Sequence, residues 1–215
     1  MKHFTRLLIP TVLTLYLTAG ASHAQGKKTI IRGSTGNGDF NADKSDTDDR
    51  LFSNTEHWFN MTGSEAGPHA TKTSGSEKGR TEGDGSRHAL LLNGPVFIND
   101  SGHKVAEEGE VFQIKFEFRD AHPRWHDNND EVEVFFFTAA EGVNGYTTKD
   151  HIEEIGSVSF STIKEDDKFE GYSDKAAYKT KADDVGKTVY VGFRAKTEAG
   201  FGRLDDFVFI VAPAR

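Results

Sequence analysis

The sequence predicts an all-β fold, an antiparallel β-sandwich or jelly roll, and three observations carry that expectation. Apolar residues recur at every second position in several segments, glycine-rich polar connections separate those segments, and no stretch shows a long, capped 3.6-residue period. The chain has 215 residues with 17 Phe and 22 Gly, which suits one domain with an aromatic core and many loops.

Taken in order, the predicted strands begin at 29–32, where Thr29-Ile30-Ile31-Arg32 precedes a glycine-rich turn. Segments 89–93 and 96–99 are short apolar runs separated by Gly94-Pro95. Segment 111–118 puts Phe112, Ile114, Phe116 and Phe118 on one face and Gln113, Lys115 and Glu117 on the other, the pattern of a half-buried strand. Segment 131–138 alternates and then becomes continuously apolar at Phe135-Phe136-Phe137, as expected of a strand with cover on both faces. Segment 155–161 is a further strand, 187–196 turns Val189, Val191, Phe193 and Ala195 inward, and 203–212 closes the set. Trp58, within His57-Trp58-Phe59, is expected in the core. Residues 62–87 have almost no apolar side chain and read as a mobile loop, and 43–50 is a second polar run with four Asp. Neither separates two cores, so 25–215 is one sandwich domain.

Residues 1–24 read as a secretory signal peptide. Lys2 and Arg6 precede the largely apolar 7–18, and small residues follow in Ala19-Gly20-Ala21 and Ser22-His23-Ala24, so cleavage after Ala21 or Ala24 fits. The apolar stretch is short for a membrane span, and no later run of about 18 apolar residues occurs. The expected mature protein is exported to the periplasm or the medium without a membrane span. The formal net charge is -8, and loss of the two basic leader residues makes the mature chain more acidic still, which disfavours nucleic acid. With no Cys, disulfides, thiolate metal sites and cysteine nucleophiles are excluded, and export without cysteine fits a bacterial envelope.

Common catalytic and nucleotide motifs fail. Gly186-Lys187-Thr188 lacks the earlier glycine of a phosphate loop, that position being Lys181, and a strand rather than a helix follows. No Gly-x-Ser-x-Gly or His-Glu-x-x-His occurs. Paired carboxylates from distant strands remain open, since 34 acidic residues allow no choice from spacing alone.

One ordered set of short motifs spans the chain. Asn37-Gly38-Asp39-Phe40-Asn41 comes first, then Trp58, then Gly83-Asp84-Gly85 before Ala89-Leu90-Leu91-Leu92, and finally Leu204-Asp205-Asp206-Phe207-Val208. Over residues 29–211 that order resembles the galactose-binding-like jelly roll of bacterial carbohydrate-binding modules. Arg119-Asp120-Ala121, Trp125 and Asp130-Glu131-Val132-Glu133-Val134 further resemble a variant found in uncharacterised exported bacterial proteins. The resemblance implies a structural Ca²⁺ joining the first and last strands, with Asp205 at the late aspartate. The early acidic position is Asn41 here, a neutral ligand, with Asp39 or Asp43 nearby to supply charge. These same residues also suit strand-end turns without any ion.

For ligand contact, the richest loop is 122–130, between two strong strands. The indole of Trp125 offers a flat apolar face to a pyranose ring, while Arg124, Asp127 and Asn128 can make directional bonds to hydroxyls. Tyr146, on a glycine-flanked turn, widens that surface. The alternative is that Trp125 packs over the sandwich edge and its neighbours hydrate a hairpin loop. His122 and His126 form no zinc pair without a helix, and His69 and His88 carry no assigned role. The leading expectation is a non-catalytic exported protein that binds glycan. A structural or adhesive envelope protein making protein contacts is the alternative, and a secreted glycan hydrolase or lyase the second.

Overall fold

Alternation along the strands produces two antiparallel sheets whose inner faces share one aromatic core. The computed structural model describes residues 26–42, 55–60, 70–72, 87–92, 96–120, 131–139, 152–161, 169–196 and 201–215. In chain order the strands are β1 (Lys28–Ile31), β2 (Trp58–Asn60), β3 (Ala70–Lys72), β4 (Arg87–Leu92), β5 (Val96–Asn99) and β6 (His103–Lys104). They continue with β7 (Val111–Asp120), β8 (Glu131–Ala139), β9 (Ile152–Ser161), β10 (Glu170–Lys179), β11 (Thr188–Lys196) and β12 (Phe201–Ala212). The first sheet runs β10-β7-β12-β4-β3, with β1 on β12, and the second runs β2-β5-β11-β8-β9, with β6 on β11. Among the described residues the helical content is one 3-10 turn, Ala182–Asp184.

Long sequence separations are closed by β12. Its first residues pair with β4 on one side, Phe201 to Leu204 facing Leu92 to Ala89, and its last pair with β1, Lys28 opposite Val211. Its other side pairs with β7 from Gly202↔Asp120 to Ala212↔Val111. Between Asp205 and Val208 the register shifts, and Asp206 takes a left-handed φ of 48°, the signature of an inserted residue. The gap between β4 and β1 is filled by the turn after β1, where Phe207 N donates to Gly38 O at 2.8 Å.

Period-two reading holds in the core. Phe112, Phe116 and Phe118 from β7, Phe136 from β8, Phe193 from β11 and Phe207 and Phe209 from β12 are all buried. Trp58 is fully buried as expected, its Nε1 donating to Asn37 O at 2.8 Å, with its ring 5.0 Å from both Phe40 and Phe193. Polar groups lock the end of the sheets away from the 121–130 loop: Tyr178 Oη donates to Asp184 Oδ2 at 2.6 Å. Burial, then Asp184, holds the phenol above its ordinary range.

The triple phenylalanine of β8 does have two-sided cover. Phe136 enters the main core, while Phe135 and Phe137 join Ile98 in a second cluster on the outer face of the second sheet, with Val96, Ile152 and Tyr190 against it. Gly192 makes room for that cluster, because a Cβ there would lie 2.5 Å from Phe135 Cζ.

Several boundaries differ from the sequence reading. Within 62–87, read as loop throughout, Ala70–Lys72 forms β3 against β4, and β4 itself starts at Arg87. β10 was not foreseen, since it is an edge strand with few apolar side chains and most of its residues exposed or half-buried. β2 and β6, three and two residues long, are too short to show a period.

Candidate functional site

The candidate segment 122–130 lies in the chain between β7, which ends at Asp120 opposite Gly202 of β12, and β8, which starts at Glu131. Arg124, Trp125, Asp127, Asn128 and Tyr146 all lie outside the described residues, as does the 1–24 leader. The base of the loop is described, and it carries a set of side chains that the sequence did not bring together.

Because Phe116 and Phe118 point inward, Glu117 and Arg119 of β7 stand on the outer face of the first sheet. Register places Arg203 of β12 opposite Arg119, and Asp205 opposite Glu117. On the other side of β12, Leu204 faces Ala89, so His88 of β4 falls beside Asp205. The outer face thus holds two ranks, Arg119 with Arg203 and then Glu117 with Asp205 and His88, cations above carboxylates.

Phe169, just ahead of β10, covers these ranks. Its ring centroid lies 5.9 Å from the His88 ring and 5.9 Å from Arg119 Cζ. Those two residues sit on β4 and β7, about 10 Å apart across the intervening strand at ordinary spacing, so the ring lies over β12. This cover explains burial that an outer sheet face ordinarily lacks: His88 is 0% and Asp205 1% exposed. Desolvation holds the Arg203 guanidinium below its ordinary pKa. Asp205 Oδ1 accepts from Asp206 N at 2.7 Å.

The second sheet carries a charged group at the same end. Glu133 of β8 accepts from Arg194 Nε and from Lys196 Nζ, the latter at 2.9 Å, and Arg194 Cζ stands 5.5 Å from the centre of the Phe135 ring. Burial alone would raise the Glu133 pKa, but the two cations outweigh it and hold the carboxyl below its ordinary value.

The turn proposed for calcium is closed by protein hydrogen bonds. Gly33 O, Gly36 O, Asn37 O and Gly38 O accept respectively from Gly38 N, Asn99 Nδ2, Trp58 Nε1 and Phe207 N. Asp39 Oδ1 faces Asn41 N at 3.5 Å across its own turn, Asn41 is exposed, and Asp205 is buried on β12. Among the described residues no three His, Asp or Glu side chains converge to hold a metal ion by themselves.

Sequence reasoning missed His88, which had no role assigned, together with Phe169 and Arg203. Alternation of β7 did point Arg119 outward, but what it meets depends on residues from three other segments of the chain. Among the described residues no helix is long and apolar enough to cross a membrane.

No family model matches the chain, and no curated protein matches it. Solved structures do. A cyclase from Fischerella sp. in its apo form aligns with TM-score 0.54 at 9% identity, covering 88% of this chain and 98% of that one. The Stig cyclase Fisc from Fischerella sp. TAU, in complex with (3Z)-3-(1-methyl-2-pyrrolidinylidene)-3H-indole, aligns with TM-score 0.54 at 10% identity, covering 88% and 100%. TmCBM61 in complex with β-1,4-galactotriose aligns with TM-score 0.41 at 13% identity, covering 78% and 97%. What the chain shares with the two cyclases is fold alone. Its paired antiparallel sheets make it an all-β, jelly-roll-type sandwich.

Proposed function

We propose that this chain is an exported, non-catalytic carbohydrate-binding protein whose glycan site is the Phe169-covered outer face of the first sheet, continued by residues 122–130. The observation that supports it is a half-buried charged floor beside an aromatic ring at the end of β7 from which that segment continues. A pyranose presents hydroxyls that both donate and accept, and C–H faces that pack on aromatic rings. Arg119 and Arg203 donate only, the carboxylate of Glu117 accepts, and Phe169 supplies a ring. Trp125, Arg124, Asp127, Asn128 and Tyr146 complete the site in this reading, and the 1–24 leader delivers it outside the cell.

A glycan array that includes β-1,4-galactan and xylan tests the reading, with wild-type, Phe169→Ala and Trp125→Ala proteins. Saturable binding to at least one glycan is expected, weakened about tenfold or more by either substitution. Silence from folded protein across the array would overturn it in favour of the adhesive or structural alternative.

A structural Ca²⁺ between the turn at 33–40 and β12 belongs to the same proposal, with Asp205 as its carboxylate and Asp39 and Asn41 as early oxygens. What supports it is that the two segments meet at Gly38 and Phe207, and that the carbonyls of Gly33, Gly36 and Gly38, each accepting one bond, keep a second lone pair. Millimolar Ca²⁺ is expected to raise the Tm of the wild type by a few degrees and to leave Asp205→Asn unchanged. A wild-type Tm indifferent to Ca²⁺ and to chelator would remove the ion from the account.

A further inference from the structure

A concavity lies elsewhere on the same outer face, about 17 Å along β7 from Arg119 at strand rise. Its volume is about 210 Å³, and Gln113, Lys115, Ser173, Lys175, Val208 and Ile210 are among its lining residues. Two register breaks open it. Between Asp174 and Tyr178 the pairing of β10 with β7 skips, with two extra residues on β10, and Asp174 Oδ1 accepts from Ala176 N at 2.7 Å to hold the bulge. The break in β12 between Asp205 and Val208 lies immediately before the cavity. With both neighbours of β7 displaced, inward-pointing Ile114 is reached from outside and joins the lining.

The chemistry is divided. Val208 pairs with Lys115 and Ile210 with Gln113 across β12 and β7, so two branched apolar side chains lie beside two polar ones. Lysines gather at the rim: Lys115 and Lys175 line the cavity, and Lys27 Nζ donates to Gln113 Oε1 at 3.3 Å. Among the described residues neither Lys115 nor Lys175 has an ion-pair partner. Asp174 also lines the cavity, its Oδ1 accepting from Ala176 N, and its single negative charge leaves the two lining lysines in excess. A cluster of cations around an apolar floor runs against a chain whose net charge is -8.

We propose that this cavity binds a ring-sized organic carboxylate, its apolar face against Val208 and Ile210 and its carboxylate among Lys27, Lys115 and Lys175. A neutral ring would fit the floor but leave the lysines unanswered, and an inorganic anion would leave the floor unfilled. The ring has two chemical sources, a uronic acid residue or an aromatic acid. This site is separate from the glycan reading above and does not depend on it.

Amide-resolved NMR titration of the mature protein tests the proposal with galacturonate and with benzoate, using galactose and benzamide as uncharged counterparts. Saturable shifts confined to the amides of Gln113, Lys115, Ser173, Lys175 and Ile210 are expected for at least one carboxylate, and the responding probe identifies the source. The matching neutral compound should bind at least about tenfold more weakly. Lys115→Ala with Lys175→Ala should weaken the carboxylate about tenfold, while the dispersed spectrum reports that the fold is intact. No shift at these amides with either carboxylate, equal binding of the neutral partner, or an unchanged affinity in the double variant would each overturn it.

Discussion

Phe112→Ala is expected to lower the free energy of unfolding by about 3–5 kcal/mol, measured by urea denaturation of the mature protein. The ring is fully buried and stands 5.2 Å from Phe209, 5.3 Å from Phe136, 5.5 Å from Tyr178 and 6.1 Å from His103. Those partners come from β12, β8, β10 and β6, so a single side chain bridges both sheets. Truncation removes its buried surface and leaves a void that rings fixed on four strands can fill only in part. A loss below about 1 kcal/mol would mean that the sheets do not meet at this residue.

Gly38→Ala is expected to cost about 2–3 kcal/mol for a different reason. A Cβ there would stand 2.2 Å from Phe207 O and 3.0 Å from Ile31 Cγ2, so the turn after β1 and the middle of β12 must separate. Separation strains the Phe207 N–Gly38 O bond and shifts Asn37, whose carbonyl receives the Trp58 indole. Gly38 has no positive φ, so the cost is steric overlap rather than loss of glycine's freedom. Gly171→Ala, where nothing lies within 4 Å of the added carbon, serves as the comparison and should leave stability nearly unchanged. Equal melting temperatures for the two variants would show that the turn and β12 are not in backbone contact.

How far the sequence revealed this molecule depends on the range over which each feature is determined. The inward row Phe112, Ile114, Phe116 and Phe118 is a local pattern, so β7 was legible, and the run Phe135-Phe136-Phe137 correctly announced cover on both faces. By contrast β10 alternates too weakly to declare itself, because only its Tyr172 and Tyr178 turn large side chains toward the core while the edge faces solvent. The candidate floor was illegible for another reason. His88, Arg119, Phe169 and Arg203 come from four segments, and only the pairings of β12 with β4 and β7 make them neighbours. Loop chemistry at 122–130 is the converse, readable as composition, while its residues lie outside those described. Asp205 shows both sides: its place near the chain end was readable, and its burial beneath a phenylalanine from 36 positions earlier was not.

The pairing of β1 with the last residues of β12 has a practical geometric consequence. Lys28 lies beside Val211, and Ala212 faces Val111, whereas Asp120 and Gly202 mark the other extreme of the same strands. The start of β1 and the end of β12 therefore leave the sandwich together, about 30 Å from the edge that carries Phe169 and the end of β7. A bead, a sensor chip or a cell wall attached through either end would hold the molecule upright with that edge facing outward.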